Sequence, residues 1–560
     1  MKQFDVCIVG SGAGAAPVAY TLSPQGYSVA VLEKGPWLTE EDFSKDEIAV
    51  SRRSLYTPSL DDEQHIIEYY NNNGDLVRKE GRESNWSFWN GSMVGGSSNL
   101  MSGYFHRMKP NDFKLISAFG EVDGANVVDW PIDYDELEPY YELVERIVGI
   151  SGRVVKHPFL EPRSTANFPY EPTWEQPVSN WFDQACEELG YHSLPTPRAI
   201  LPHDTLGRRG CSYSNFCGSY GCATGAKGNA RSALLDKALK SGNCTIIPHA
   251  FVYHLQSDKK KSVSHACYYD RYGKPKKIEA KLFVVATQAI ESARLLLNSI
   301  APSFPNGLAN NSGQVGKNLI FSAGGSGQGR IHRSKLSEAE RDGLFTRGAF
   351  VNRSLQDWYE YEKDGKQIKG GTIDFLYEHA NPTSRAMREL YDVKGDLVWG
   401  KALQKKLHYA FTQSRIFTFE VFNDWHPTDN CFASVDREVK DRWGVPVGTI
   451  RLYSHPQDLS TGEYLAQKAV KVLKQMGADE ISYAISESPP PNLVAGGCRF
   501  GDDPKHSVLD RNCKAHEVDN LYVSDASFMP TGGSVPYTWT IYANAFRVAD
   551  IILERLKNDV

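Results

Sequence analysis

Short, uninterrupted apolar runs alternate with amphipathic stretches along much of the chain. Residues 4–9, Phe-Asp-Val-Cys-Ile-Val, form the first run, and Ser28-Val29-Ala30-Val31-Leu32 the second. Runs of this length, rich in β-branched residues and bounded by turn signals, predict buried strands. The pattern between them, through Leu22, is helical. Residues 282–297 predict a third buried strand, a turn and a helix, and residues 520–557 a last short strand that leads through a Gly/Pro-rich stretch into an apolar-periodic C-terminal helix. Strands and helices alternating in this way predict an α/β fold.

The first two strands flank Gly10-Ser11-Gly12-Ala13-Gly14-Ala15-Ala16. A strand, a Gly-rich turn, a helix and a second strand ending in an acid, all within a single unit, predict dinucleotide binding. Gly10 allows a tight turn, Gly12 lets backbone approach a pyrophosphate, and a small residue at Ala15 lets the helix pack on the sheet. Free N–H groups at the helix start then face the phosphates. Glu33, ending the second strand, accepts hydrogen bonds from ribose hydroxyls and repels a 2′-phosphate, which argues against NADP.

Bulk properties narrow the class. A chain of 560 residues is too long for one core. The net charge of −6 gives no electrostatic reason to expect a nucleic-acid partner. The longest basic run, Lys259-Lys260-Lys261, reads as a solvated turn. No stretch of apolar residues is long enough to span a bilayer. The N-terminal residues go directly into a strand and lack the pattern of a secretory leader, so the expected location is cytoplasmic, with export beside a signal-bearing partner left open. Ten cysteines in a chain of this length do not make a disulfide scaffold.

Three further segments carry a resemblance. Residues 85–113 include Gly91-Ser-Met-Val-Gly95-Gly96-Ser97-Ser98-Asn99-Leu100, residues 282–297 include Val-Val-Ala286-Thr-Gln-Ala, and residues 520–540 include Ser524-Asp525-Ala526 and Gly532-Gly533-Ser-Val-Pro536-Tyr537-Thr538. With the first 35 residues, these resemble the glucose-methanol-choline (GMC) oxidoreductase family. Cys211 to Lys227 and Gly497 to Pro504 are similar to its bacterial branch of gluconate dehydrogenase flavoproteins and aminoglycoside 6′-dehydrogenases. The resemblance implies a Rossmann-type α/β FAD-binding domain from residues 1–110, 205–315 and 496–560. It also implies an interleaved α+β substrate domain, built on a mostly antiparallel sheet, from residues 111–204 and 316–495. Position by position, it implies that Gly10, Gly12, Ala13, Gly14, Ala15, Glu33 and Lys34 hold the ADP half and that the Val252 backbone meets the adenine. Gly95, Gly96, Ser97, Ala286, Asp525, Ala526 and Thr538 would lie along the pyrophosphate and flavin. Relatives that bind flavin covalently do so through a His just after the Gly-Gly pair; Ser97-Ser98-Asn99-Leu100 has none, so the FAD is expected to be non-covalent.

The implied chemistry is oxidation of a CH–OH group in a sugar, glycoside or polyol, with a positioned base taking the hydroxyl proton. The family's base is a His before a Gly-Thr-Cys turn, with a second His or an Asn at the start of the C-terminal helix. Here those segments read Pro491-Asn492-Leu-Val-Ala-Gly496-Gly497-Cys498 and Gly532-Gly533-Ser-Val-Pro-Tyr537-Thr538, with neither His nor the second Asn. Asn492 and Tyr537 stand beside the expected positions and are the candidate catalytic residues; His106, His455 or His506 could reach in from elsewhere. Two other readings stay open: a substrate needing no strong base, such as an amine or an activated C–H, and a flavin-binding electron-transfer subunit without its own turnover.

Cys211, Cys217 and Cys222 cluster on a Gly-rich loop. Three thiolates could hold an iron–sulfur cluster, but packing is the favoured reading. The Gly-rich and charged region 324–375 reads as a mobile loop or lid, and its aromatics, Trp358, Tyr359 and Phe375 among them, mostly as core positions. Expected partners are a carbohydrate-like small molecule and an electron acceptor other than NAD, a small subunit or cytochrome being one such acceptor.

Overall fold

The computed structural model describes residues 3–51, 64–84, 86, 88–259, 261–346, 352–377, 380–392 and 394–558. Asn85, Ser87 and Lys260 lie outside the described residues. The apolar runs pair as a parallel sheet. Strand Phe4–Val9 sits between Val29–Leu32 and Pro275–Val285, and Val29–Leu32 pairs in turn with Cys244–Ile247. Strand Leu521–Val523 also pairs with Pro275–Val285, so Pro275–Val285 stands between it and Phe4–Val9. These strands are buried on both faces, which is why they read as continuous apolar runs. Helices Ala16–Leu22 and Thr538–Asn558 pack together, with Tyr20 edge-on to Phe546 at 6.1 Å. The first half of the long strand Pro275–Val285 leaves the parallel sheet for an antiparallel meander with Val263–Tyr269 and Phe251–Ser257.

A second sheet is antiparallel throughout, in the order Asp479–Ile485, Ala323–His332, Ser414–Asn423, Gly371–Tyr377, Arg353–Leu355, Ser193–Pro195. Helix Pro456–Gln475 lies across it, and Phe417, Phe419, Val421, Phe375, Leu465 and Val472 form an apolar core separate from that of the first sheet. The fold is thus α/β with a second, antiparallel unit. A third sheet joins Ile66–Tyr70 and Leu76–Glu80 to Phe432–Lys440 and Pro446–Leu452, through a parallel pairing of Ile66–Tyr70 with Pro446–Leu452. No helix among the described residues is long and apolar enough to cross a membrane.

The expectation of a loop or lid at Gly324 to Arg330 is corrected. These residues form an interior strand of the second sheet. Their glycines answer to close packing: a Cβ on Gly324 would lie 1.6 Å from Asn423 Oδ1, and one on Gly327 2.4 Å from the Phe419 ring. Across the helix, a Cβ on Gly462 would lie 2.7 Å from the Gly324 carbonyl. Sheet and helix approach here because neither presents a side chain. Tyr359 and Phe375 are core residues, almost fully buried.

Candidate active site

The Gly-rich turn is fixed by contacts that leave no room for side chains at two positions. Gly10 has φ +96°, and a Cβ there would stand 2.1 Å from the Ala286 carbonyl oxygen. A Cβ on Gly14 would lie 2.6 Å from the Ser524 carbonyl oxygen, and the Ser524 hydroxyl donates to the Gly14 carbonyl at 2.7 Å. The first turn is therefore clamped between the neighbouring strand ends. Gly12 differs, since a Cβ there would meet nothing within 4 Å. Its open side faces a cavity.

Glu33 is buried and held from two sides. Ser11 Oγ donates to Oε2 at 2.5 Å, and the Gly35 N–H to Oε1 at 2.9 Å. Ser11 Oγ also accepts the Gly95 N–H at 3.0 Å, which ties the Gly95–Gly96 loop to the turn. A Cβ on Gly96 would come within 3.1 Å of Gly12 Cα.

One cavity of about 310 Å³ is lined both by these residues and by distant segments, a size within the ~300–1,000 Å³ of small-molecule sites. Of the residues the resemblance implied, Gly10, Gly12, Ala13, Gly14, Glu33, Lys34, Gly96, Ser97, Val252, Ala286, Asp525, Ala526 and Thr538 line it. Ala15 and Gly95 do not. Ala15 is fully buried at the start of the helix, and a Cβ on Gly95 would lie 2.7 Å from Asn99 Nδ2. Val252 lies where the register of its strand shifts, an irregularity that frees backbone from the ladder.

Two acids in the wall are held in opposite protonation preferences. Burial pushes the Asp525 carboxyl up, against four donors: the Gln288 N–H and Ser292 Oγ on one oxygen, the Ser527 N–H and Oγ on the other. Burial would also raise Glu291, but Arg294 at 3.3 Å, with Lys34 and His65, outweighs it and holds that carboxyl down. Gln288, between them, takes φ +84°, a left-handed conformation rare outside glycine.

Other parts of the lining come from segments that bring different chemistry, among them Trp89, Tyr104, Glu420, Phe422, Asn492 and Pro536. Asn492 lines the cavity. Tyr537 does not, which corrects its candidacy. Its ring is turned under the Gly532–Gly533 loop, its hydroxyl donates to the Phe321 carbonyl, and a Cβ on Gly532 would lie 2.5 Å from that hydroxyl. Burial raises the phenol far above its usual range, so it offers no base.

The three outlying histidines separate. His506 is exposed and pairs with Asp503 at 2.8 Å. His455 caps helix Pro456–Gln475, Nδ1 accepting the Gln457 N–H and Nε2 donating to the Asp123 carbonyl. His106 lies behind the wall, two residues from Tyr104, with Nε2 3.0 Å and 3.2 Å from the two oxygens of buried Asp374.

Cys211, Cys217 and Cys222 are each partly buried and lie near enough for their charges to interact. Among the described residues, the groups whose ligating atoms lie within 4.8 Å of one another are His157–His192–Asp357 and His426–His455–Asp458. A buried ammonium braces the cysteine loop: Lys227 Nζ donates to the carbonyls of Asn99, Cys217 and Tyr220 at 3.1, 3.0 and 2.9 Å.

Tyr104, Glu420 and Phe422 were not singled out from the sequence. Tyr104 is buried beneath the Arg198 guanidinium, whose carbon lies 4.2 Å from the ring centre. Glu420 and Phe422 stand two apart on strand Ser414–Asn423 and so share one face.

The residues present fit a dinucleotide. A glycine with open space over its Cα admits phosphate, and an oriented carboxylate awaits a ribose. Bound flavin supplies a two-electron acceptor, and the second set of lining segments leaves a place for its substrate.

Family models described as GMC oxidoreductase match residues 14–322 and 427–545. The chain is 30% identical over 567 residues to the 2-methyl-1,2-propanediol dehydrogenase of Mycolicibacterium austroafricanum, covering 100% of this chain and 96% of that protein. It is 30% identical to the paromamine 6′-oxidase of Streptomyces fradiae, covering 98% and 91%. The solved structure of a pyridoxine 4-oxidase from Mesorbium loti superposes with TM-score 0.61 at 19% identity, over 99% of each chain, a likeness of fold.

Proposed function

The chain belongs to the GMC oxidoreductase family, and on that premise we propose that it oxidises the CH–OH group of a polyol, sugar or glycoside with bound FAD. The observation that carries this reading is the single cavity shared by the Gly10–Gly14 turn with Glu33 and by Tyr104, Glu420, Phe422 and Asn492. The relatives' names supply the substrate class: a vicinal diol in one case, an aminoglycoside hydroxyl in the other.

The chain's own residues divide the work. Gly10, Gly12 and Gly14 shape the turn that takes the pyrophosphate, and Glu33, aimed by Ser11 and Gly35, takes the ribose. Ser97 Oγ accepts the Gly91 N–H and Ser98 Oγ donates to the Gly95 carbonyl, so both hydroxyls hold the loop in place. Tyr104, Phe105 and Phe422 exclude water around the carbinol, and Asn492 offers an amide to a substrate hydroxyl. The two-domain division at residues 1–110, 205–315 and 496–560 against 111–204 and 316–495 is part of the same reading; the second apolar core falls wholly within the latter segments, while the first draws residues from both sides of the division. Electrons leave to an acceptor other than NAD, such as a small subunit or a cytochrome.

Anaerobic mixing of the FAD-loaded protein with 1,2-propanediol, glycerol, glucose and amine controls tests the reading. Bleaching of flavin absorbance by one of the alcohols supports it. Bleaching by amines alone, or by no compound, rejects it.

A further inference from the structure

A buried polar atom without a hydrogen-bond partner is costly, and in a folded protein it calls for an explanation. His157 carries one. The residue is only 7% exposed, its Nδ1 accepts the Phe159 N–H at 3.1 Å, and its Nε2 is buried with no hydrogen-bond partner among the described residues. The His192 ring stands edge-on to it, with 5.7 Å between ring centres. A nitrogen of each imidazole and an oxygen of Asp357 lie within 4.8 Å of one another.

Two of these three groups are fixed by the second sheet. His192 precedes the edge strand Ser193–Pro195, Asp357 follows strand Arg353–Leu355, and the two strands pair with Leu355 opposite Ser193. Asp357 accepts the His192 backbone N–H at 3.2 Å on each oxygen and lies 2.6 Å from His192 Nδ1. His157 comes from residues 152–169, which form no helix or strand. From this geometry we propose that His157, His192 and Asp357 form a binding site for a divalent transition ion of the zinc class, which clamps this irregular segment to the edge of the second sheet.

The donor set selects the ion. Two imidazoles and a carboxylate suit Zn²⁺ and its first-row neighbours, whereas Mg²⁺ and Ca²⁺ take oxygen ligands. A metal needs the imidazole neutral, and burial keeps His157 in that form, with its pKa held down to about 4. The Asp357 carboxylate offsets part of the ion's charge. Three protein ligands leave a fourth position to water. The second cluster, His426–His455–Asp458, is less suited, because both His455 nitrogens are engaged: Nδ1 accepts the Gln457 N–H and Nε2 donates to the Asp123 carbonyl. Phe159, two residues past His157, packs on Tyr359 at 6.2 Å, and the Tyr359 hydroxyl donates to the Gly533 carbonyl. A clamp at His157 therefore acts on residues that touch the loop before the C-terminal helix.

The test uses tag-free, FAD-loaded full chain dialysed against EDTA. Calorimetric titration with Zn²⁺ should show one site per chain. The melting temperature should rise with Zn²⁺ concentration, as for any ligand that binds the folded state alone, and should not move with Mg²⁺ or Ca²⁺. Losing even an outer partner of a metal ligand costs about 10- to 100-fold in affinity, so His192→Ala and Asp357→Asn should each weaken Zn²⁺ binding by at least that factor. His192 is exposed, and its Ala variant should keep the flavin content and metal-free melting temperature of the unmutated protein. Unchanged Zn²⁺ affinity in His192→Ala places the bound ion elsewhere and overturns the proposal. So does a failure of the unmutated protein to bind Zn²⁺, or an equal rise in melting temperature with Mg²⁺ or Ca²⁺. None of these measurements uses a substrate, so their outcome is separate from that of the CH–OH reading.

Discussion

Ser11 and Glu33 form a hydrogen bond of 2.5 Å across the Gly-rich turn. The bond joins the two strands of the dinucleotide unit, and because Ser11 also accepts the Gly95 N–H, it fixes the loop that carries Gly96 and Ser97. Glu33→Gln removes the charge that aims at the ribose. It should weaken FAD binding about 10- to 100-fold, the equivalent of ~1.5–3 kcal/mol for hydrogen bonds to a charged group. Ser11→Ala should cost less, since Gly35 still holds the carboxylate. Titration of flavin-free protein with FAD, followed by fluorescence quenching, measures both. Equal affinities in all three proteins would refute the ribose assignment.

Gly12 and Gly14 are adjacent in the motif but fill different roles. Gly12 is not in the left-handed region and has no neighbour near its Cβ position, so Gly12→Ala should leave the melting temperature of flavin-free protein unchanged. The added methyl occupies space meant for phosphate, and FAD retention should be lost. Gly14→Ala forces a Cβ against the Ser524 carbonyl and the Asp525 Cα at 2.6 and 2.7 Å. Backbone must move, and the flavin-free protein should lose ~1–3 kcal/mol, the range for overpacking. Retained flavin in Gly12→Ala would show that the open side does not face the cofactor.

The dinucleotide half was readable because its signals are local: a buried strand, glycines at fixed spacing, and an acid at the end of the next strand. The substrate half was not, because its decisive feature is which face of a strand looks where. Phe417, Phe419 and Val421 bury into the second core, which turns Glu420 and Phe422 toward the cavity. A signal was present, since a large apolar residue on the face that carries Glu420 has no place in water. Reading it required knowing that the face was covered. Tyr537 misled for the converse reason. It stands beside the start of helix Thr538–Asn558, but its ring is turned inward against Gly532 and its hydroxyl is spent on the Phe321 carbonyl.

Arg107 is the buried anchor of the segment that delivers Tyr104 and His106. Its guanidinium meets Glu145 at 2.6 and 3.0 Å and Glu138 at 2.8 Å, and lies 5.4 Å from the ring centre of Trp539 on the C-terminal helix. Arg107→Met leaves both carboxylates buried short of a partner, although Arg163 still reaches Glu145 and Ser164 still donates to Glu138. Loss of one member of such a network should destabilise the protein by ~3–5 kcal/mol. Arg107→Lys should recover only part, because a single ammonium cannot span both acids. Urea unfolding of the flavin-free protein measures the difference; a Met variant within ~0.5 kcal/mol of the original, the scale of surface substitutions, would mean that the network adds nothing net.

His157 predicts a pH dependence below neutrality. Burial disfavours its charged form and holds its pKa down to about 4, with Lys109 and His192 adding to the effect and Asp357 opposing it. Nδ1 accepts the Phe159 N–H at 3.1 Å, a bond that protonation there would break. An unfolded His binds a proton near pH 6.5 while the folded one does not until about 4. The unfolded state therefore gains protons first as pH falls, and stability rises with pH wherever it holds more of them. The contribution from His157 is complete above pH 6.5 and is lost progressively as pH falls toward about 4. His157→Asn keeps an acceptor for the Phe159 N–H but does not titrate. Urea midpoints across that window should fall less steeply in His157→Asn than in the unmutated protein. Parallel curves would show that the imidazole is not kept neutral by the fold.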